Sequence, residues 1–254
     1  KKSSSPKANA AKVSPKEQHR RAAALFASIR GDEKNAQKLL GQVAKEFEAA
    51  AKAGEPAAWI DFGRCLWNGW GIKQNRGAAM RAYRQAANLG SSFGAHITAY
   101  NLYWEFGKWD EAHVYAKAAL KGGDPRGAVH HLLGLMAFHG RGRKADPVEA
   151  YKLQTLSAKR GDPDAMFELY AMLSTGQGTR ANEVEGLKWL IKAAERGQPR
   201  ACYSLGAHYA MGRGVKQDDE AAFAWYESAS SRGYGRASAT LGVMALSGSG
   251  MKKS

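Results

Sequence analysis

The sequence predicts an all-α fold, a right-handed α-solenoid of stacked helix-turn-helix repeats of about 36 residues each. Three observations predict it. Glycine doublets of the form G-x-G begin at Gly69, Gly140, Gly176, Gly212 and Gly248, so the last four are 36 residues apart. A second glycine series runs through Gly54, Gly90, Gly123, Gly161, Gly197 and Gly233 at nearly the same interval. Between the glycines, apolar residues recur with the period of a helix rather than a strand.

Taken in chain order, residues 1–18 are expected to be a disordered basic tail. The opening KKSSSPKANAAKVSPKEQHRR carries seven Lys or Arg against one Glu, hence +6 of the net +15. It has almost no large apolar side chain to offset the entropy of ordering. The sequence opens on Lys1 rather than Met, as a processed or trimmed product would. Residues 19–53 read as a degenerate leading helical pair, with Phe47 and Ala49–Ala51 on the second helix's apolar stripe. Residues 54–254 read as the solenoid proper, five to six repeats, the last complete or truncated after the turn at SGSGMKKS.

The unit at 198–233 shows the logic of each repeat. Ala201, Leu205 and Tyr209 fall on one face of a first helix, which Gly212-Arg213-Gly214 stops. Asp218 or Asp219 can cap the second helix, whose stripe is Ala222, Trp225, Tyr226 and Ala229. Arg232 sits in its last turn, where a cation complements the helix dipole, and Gly233 supplies a left-handed end. Arg160–Gly161 and Arg196–Gly197 repeat the device, so these arginines read as caps rather than ligand contacts.

HGRGR at 139–143 has the look of a phosphate cradle. The residue between the paired glycines is Trp70, Arg141, Gln177, Arg213 or Ser249, so no anion-binding side chain is kept. Gly69, Gly71, Gly140, Gly142, Gly176, Gly178, Gly212 and Gly214 are therefore assigned to structural turns.

The pattern resembles the Sel-one-like repeat (SLR) family, relatives of the tetratricopeptide repeats. Ala201, Leu205, Gly206, Tyr209, Gly212, Gly214, Trp225 and Tyr226 carry the resemblance in one unit. Ala58, Phe62, Gly63, Gly69, Gly71, Tyr83 and Ala86–Ala87 carry it in another. Unit 90–123 departs from it, since its turn FGKWDEA lacks the double glycine. Tyr170 stands where the first-helix glycine belongs, which predicts loss of tight packing there.

The resemblance implies a non-enzymatic scaffold or adaptor of bacterial type that binds a partner protein. It also brings two alternatives, an immunity protein that neutralises a secreted toxin effector and an assembly factor associated with envelope polysaccharide or peptidoglycan. A periplasmic or secreted setting is expected over a cytoplasmic one. In such solenoids the first helices line the concave face. Phasing them on the leucine-glycine pair assigns partner binding to Arg64, Trp67, Phe93, His96, Tyr100, Tyr103, Trp104, His131, Phe138, Phe167, Arg200 and Tyr203, with Ile60 and His139 beside them. Trp, Tyr and Arg commonly anchor interfaces.

The expected partner is another protein, with an acidic surface suiting the basic chain; an anionic envelope polymer is the second candidate. Nucleic acid is disfavoured, because acidic residues accompany the basic ones in every unit and no basic stripe recurs at 36 residues. No cofactor, metal or catalytic group is expected. His130 and His131 point about 100° apart on a helix and cannot share an ion, and no acidic residue completes a zinc set around His131 and His139. Cys65 and Cys202 lack metal or redox spacing and read as small apolar residues. No apolar run approaches the roughly 18 residues of a membrane span. The free chain is expected to be monomeric.

Overall fold

The structure is a computed structural model that describes residues 13–29, 33–124, 126–247 and 250. Among the described residues there are thirteen helices and no strand: α1 Pro15–Ser28, α2 Glu33–Lys52, α3 Pro56–Asn68, α4 Arg76–Asn88, α5 Ser92–Trp104, α6 Trp109–Leu120, α7 Ala128–His139, α8 Pro147–Lys159, α9 Pro163–Thr175, α10 Glu183–Glu195, α11 Pro199–Met211, α12 Asp219–Ser231 and α13 Gly235–Ser247. The fold is an all-α repeat solenoid, each repeat a first and a second helix packed together. Residues 1–12 of the expected tail lie outside the described residues. Residues 15–18, also read as tail, are helical: Pro15 opens α1 and the Ser14 hydroxyl accepts from the Glu17 N–H at 3.2 Å.

The described residues fall into two compact units. The first takes residues up to 107 together with 117–122; the second takes 108–116 and everything from 123 on. In the first unit, Phe47, Ala50 and Ala51 of α2 and Ala58, Phe62 and Leu66 of α3 are buried. In the second, Met166, Leu169, Leu190, Cys202 and Leu205 form one core cluster across α9, α10 and α11.

The repeat is held by local chemistry that recurs. Asn75, Asp146, Asn182 and Asp218 each cap a second helix by accepting a backbone N–H three residues on, which satisfies a donor the helix end would otherwise leave bare. The two glycines of the G-x-G turn do different work. Gly176 ends α9 in the left-handed conformation (φ +73°). Gly178, also left-handed, lies so close to the preceding repeat that a Cβ would stand 2.0 Å from the Pro147 carbonyl oxygen at the start of α8. Gly142 meets the Trp109 carbonyl in the same way. The turn is thus a bend and also a main-chain contact between neighbouring repeats.

Within a repeat, the first-helix glycine seats a second-helix ring. A Cβ on Gly63 would stand 2.4 Å from the Tyr83 ring, and one on Gly206 would stand 2.9 Å from Tyr226. At Tyr170 the arrangement is exchanged rather than lost. Leu190 takes the place of Tyr226, so the ring now stands on the first helix and a smaller, fully buried side chain occupies its place on the second. The expected loosening is corrected by this swap.

Candidate functional site

Helix α5, SFGAHITAYNLYW, contains no Asp, Glu, Lys or Arg. Ser91 caps it and Ala95, Ala99 and Leu102 anchor it in the first unit's core. Phe93, His96, Tyr100 and Trp104 follow at intervals of three and four residues, hence along one stripe. Phe93 is 53% exposed, Tyr100 51% and Trp104 53%; His96 is half-buried and stacks on Phe93 at 6.3 Å. The Arg64 guanidinium of α3 lies 5.7 Å from the Phe93 ring and is held by Asp61 at 3.0 Å. Asp61 also takes an imidazole nitrogen of His19 at 2.8 Å.

A second group adjoins it in the same unit. Trp67 is half-buried, with Tyr83 and Phe106 each 6.4 Å away and Arg76 stacked 5.0 Å above it. Arg76 is paired with Glu105 at 3.0 Å. Arg76 and Phe106 were missed by sequence reasoning. Their signal was the aberrant turn itself, in which Glu105 stands where other repeats have the first glycine and Phe106 follows at the variable place.

Tyr103 must be corrected. It is 3% exposed, lies beneath Trp104 in an edge-on contact at 4.8 Å, and belongs to the core. Ile60 is buried as well.

In the second unit the expected lining is mostly internal packing. Phe167 is buried under the Arg200 guanidinium at 4.4 Å, and Arg200 is paired with Glu168 at 3.3 Å. Tyr203 is half-buried between Tyr226 and Tyr234, both about 5 Å away (5.2 and 5.1 Å). His131 donates to the buried Gln154 at 2.9 Å. Phe138 is half-buried, edge-on to an exposed His139. These residues are held by partners in their own or a neighbouring repeat, so of this group only Arg200 and His139 stay exposed.

One more concavity belongs to the second unit, a groove of about 550 Å³ lined by Tyr170, Ser174, Leu187, His208 and Arg213 among others. His208 donates through Nδ1 to the Arg213 carbonyl at 2.6 Å, which leaves Nε2 to accept from the Tyr170 hydroxyl at 2.9 Å. The Tyr170, Ser174 and His208 side chains are hydrogen-bonded within the groove's own walls.

Burial pushes the Cys65 thiol up to about 11, so little of the reactive thiolate exists at neutral pH. Among the described residues no group of three or more His, Cys, Asp or Glu could hold a metal ion, and no helix is long and apolar enough to cross a membrane.

The family model of the Sel1 repeat matches residues 58–91, 128–162, 163–198 and 199–234, more than half of the chain. The chain belongs to the Sel1 repeat family. Helix α5 lies between the first two matched Sel1 repeats, in the unit whose turn departs from the glycine pattern. Among solved structures, a Sel1 repeat protein from Oxalobacter formigenes is 25% identical with a TM-score of 0.76, over 87% of this chain and 89% of that one. A protective antigen of uropathogenic Escherichia coli with an SLR fold is 19% identical at 0.69, over 91% of this chain and 48% of that one. An immunity protein from Pseudomonas aeruginosa shares the fold at 15% identity and 0.53, over 85% and 80%. None of the curated proteins matches it.

Proposed function

We propose that this Sel1 repeat protein is a non-enzymatic scaffold that captures a protein partner on the α5 face of its first unit. The observation that carries the reading is the stripe Phe93, Tyr100 and Trp104, three large rings each more than half exposed on a helix without charge. Leaving such rings in water is unfavourable by roughly 25 cal/mol per Å² of apolar surface, and aromatic anchors are where interface energy concentrates. Sel1 repeat proteins typically mediate protein–protein contacts. The partner would offer an apolar segment to the rings and, beside it, carboxylates to compete for Arg64 and Arg76.

The test is capture of proteins from an extract of the producing cells by the immobilised chain. Tyr100→Ala with Trp104→Ala should abolish capture while helical circular dichroism and melting stay unchanged. Arg213→Ala with Lys216→Ala, on a turn of the second unit, should leave capture intact. A folded Tyr100/Trp104 variant that still captures its partner would overturn the assignment.

A further inference from the structure

Arg160, Arg196 and Arg232 close α8, α10 and α12, at intervals of 36 residues, all within the second unit. All three are exposed. Each reaches towards the repeat before it. Arg196 Nη1 donates to the Gly161 carbonyl at 3.3 Å, and a Cβ on Gly197 would meet Arg232 Nε at 2.7 Å. Arg160 Nη1 lies 3.4 Å from His130 Nδ1. The side chains therefore form a ladder along one edge of the repeats. Sequence reasoning had found no basic stripe at this spacing, because it assigned these arginines to capping.

Capping does not exhaust them. Arg160 and Arg232 do donate to carbonyls of their own last turns, Leu156 and Ser228, but only Nη1 of each of the three guanidinium groups is used. The ion pairs among the described residues include none of the three. Lys159 adds a cation beside the first rung. Nearby carboxylates are engaged or stand between rungs: Asp124 holds His130, Asp162 caps α9, Asp164 takes Gln198, and Glu195 precedes Arg196. Nε and Nη2 of Arg160 and Arg196 keep the planar pair of donors that fits a carboxylate with two parallel bonds, while in Arg232 that edge lies beside Gly197.

We infer that this arginine ladder is a second interaction surface, one that takes an extended acidic peptide segment with a carboxylate at every third residue. Neighbouring repeats are separated by about one helix-packing distance, on the order of 10 Å. A chain in the extended polyproline II conformation rises about 3.1 Å per residue with three residues per turn, so every third side chain lies on one face and meets a rung. A nucleic-acid strand suits the ladder less well. Its phosphates recur more closely than the rungs, so not every phosphate would meet a guanidinium.

The experiment uses the full chain and a peptide of four Glu-Ser-Gly triplets, with affinity read by fluorescence anisotropy at low salt. An isomer with the same four glutamates contiguous is the spacing control, and an oligothymidylate of equal charge is the polyanion control. The triplet peptide should bind about tenfold more tightly than its isomer and weaken as salt rises. Arg160→Gln with Arg196→Gln and Arg232→Gln should lose about tenfold, while the corresponding Lys variants should keep part of the affinity. The Tyr100→Ala/Trp104→Ala variant should bind the triplet peptide unchanged, which separates this surface from the α5 face. Equal binding of the isomer, an unaffected Gln variant, or tighter binding of the oligothymidylate would each overturn the proposal. If the Gln variant melts early, the comparison of peptide spacings on the parent chain still decides.

Discussion

The same place in the repeat register is filled in opposite ways in the two units. His96 on α5 corresponds to Phe167 on α9 and Tyr203 on α11; Tyr100 corresponds to Ala171 and Ala207; Phe93 corresponds to Asp164 and Arg200. In the second unit the ring sits at the inner place and is covered, Phe167 by Arg200, while the outer places are small or charged. On α5 the outer places carry the rings. What differs along these helices is where the bulk is put. A repeat with its ring inside is a packed wall, and one with its rings outside presents an adhesive stripe. The turn between repeats varies likewise: where the second unit has Arg160, the first has an exposed Leu89.

The largest effect expected from this comparison is on stability. Tyr103→Ala and Phe167→Ala should each cost about 3 kcal/mol in urea unfolding, because both rings are core and each truncation leaves a cavity. A neutral Tyr103→Ala would return that ring to the binding surface. Next come the glycines of the second unit. Gly178→Ala should cost about 2 kcal/mol or more, since the left-handed strain adds to a clash with the Pro147 carbonyl. Gly233→Ala should cost only about 1 kcal/mol, because a Cβ there meets nothing within 4 Å. Equal melting shifts would mean that the main-chain contact at Gly178 contributes nothing.

Asp124 comes third. Burial alone would raise its carboxyl, but hydrogen bonds from the backbone and imidazole of His130 (2.9 and 2.6 Å) outweigh that and hold it below its usual value. A carboxyl depressed in the folded state stabilises above the ordinary carboxylate range and ceases to do so as pH falls through its folded value. Asp124→Asn should therefore cost about 1–2 kcal/mol at neutral pH, and the gap to the parent should close in acid. A gap independent of pH would rule out the charge as its source. The smallest effect is expected on the α5 face, where Tyr100→Ala and Trp104→Ala should each change stability by no more than about 0.5 kcal/mol.

Much of the scaffold was legible in the sequence, and the reason is glycine. Left-handed turns and sub-van der Waals approaches strongly favour glycine, so Gly176, Gly178, Gly197 and their counterparts print the period directly. The cap was readable to within one residue, Asp218 or Asp219, as few side chains reach a helix-end N–H, and the structure assigns it to Asp218. The site was harder to see. Tyr100 and Tyr103 are three residues apart, which on a helix is only about 60° of rotation, yet one is 51% exposed and the other 3%. Phasing on the leucine-glycine pair resolves a face but not its edge. Arg160, Arg196 and Arg232 were visible as a period, but a capping role already accounted for them, and the unused donors appear only when the side chains are placed.

The contact of Gly178 with the Pro147 carbonyl has a consequence for how such a chain can grow. Neighbouring repeats that touch through main-chain atoms recognise each other without reference to side-chain identity, so a copied unit would fit beside any other that keeps the two glycines. Duplication then supplies new units ready to stack, and mutation is free to alter their outward residues one at a time. An aromatic stripe in one unit and an arginine ladder in the next are the kind of divergence that this freedom permits.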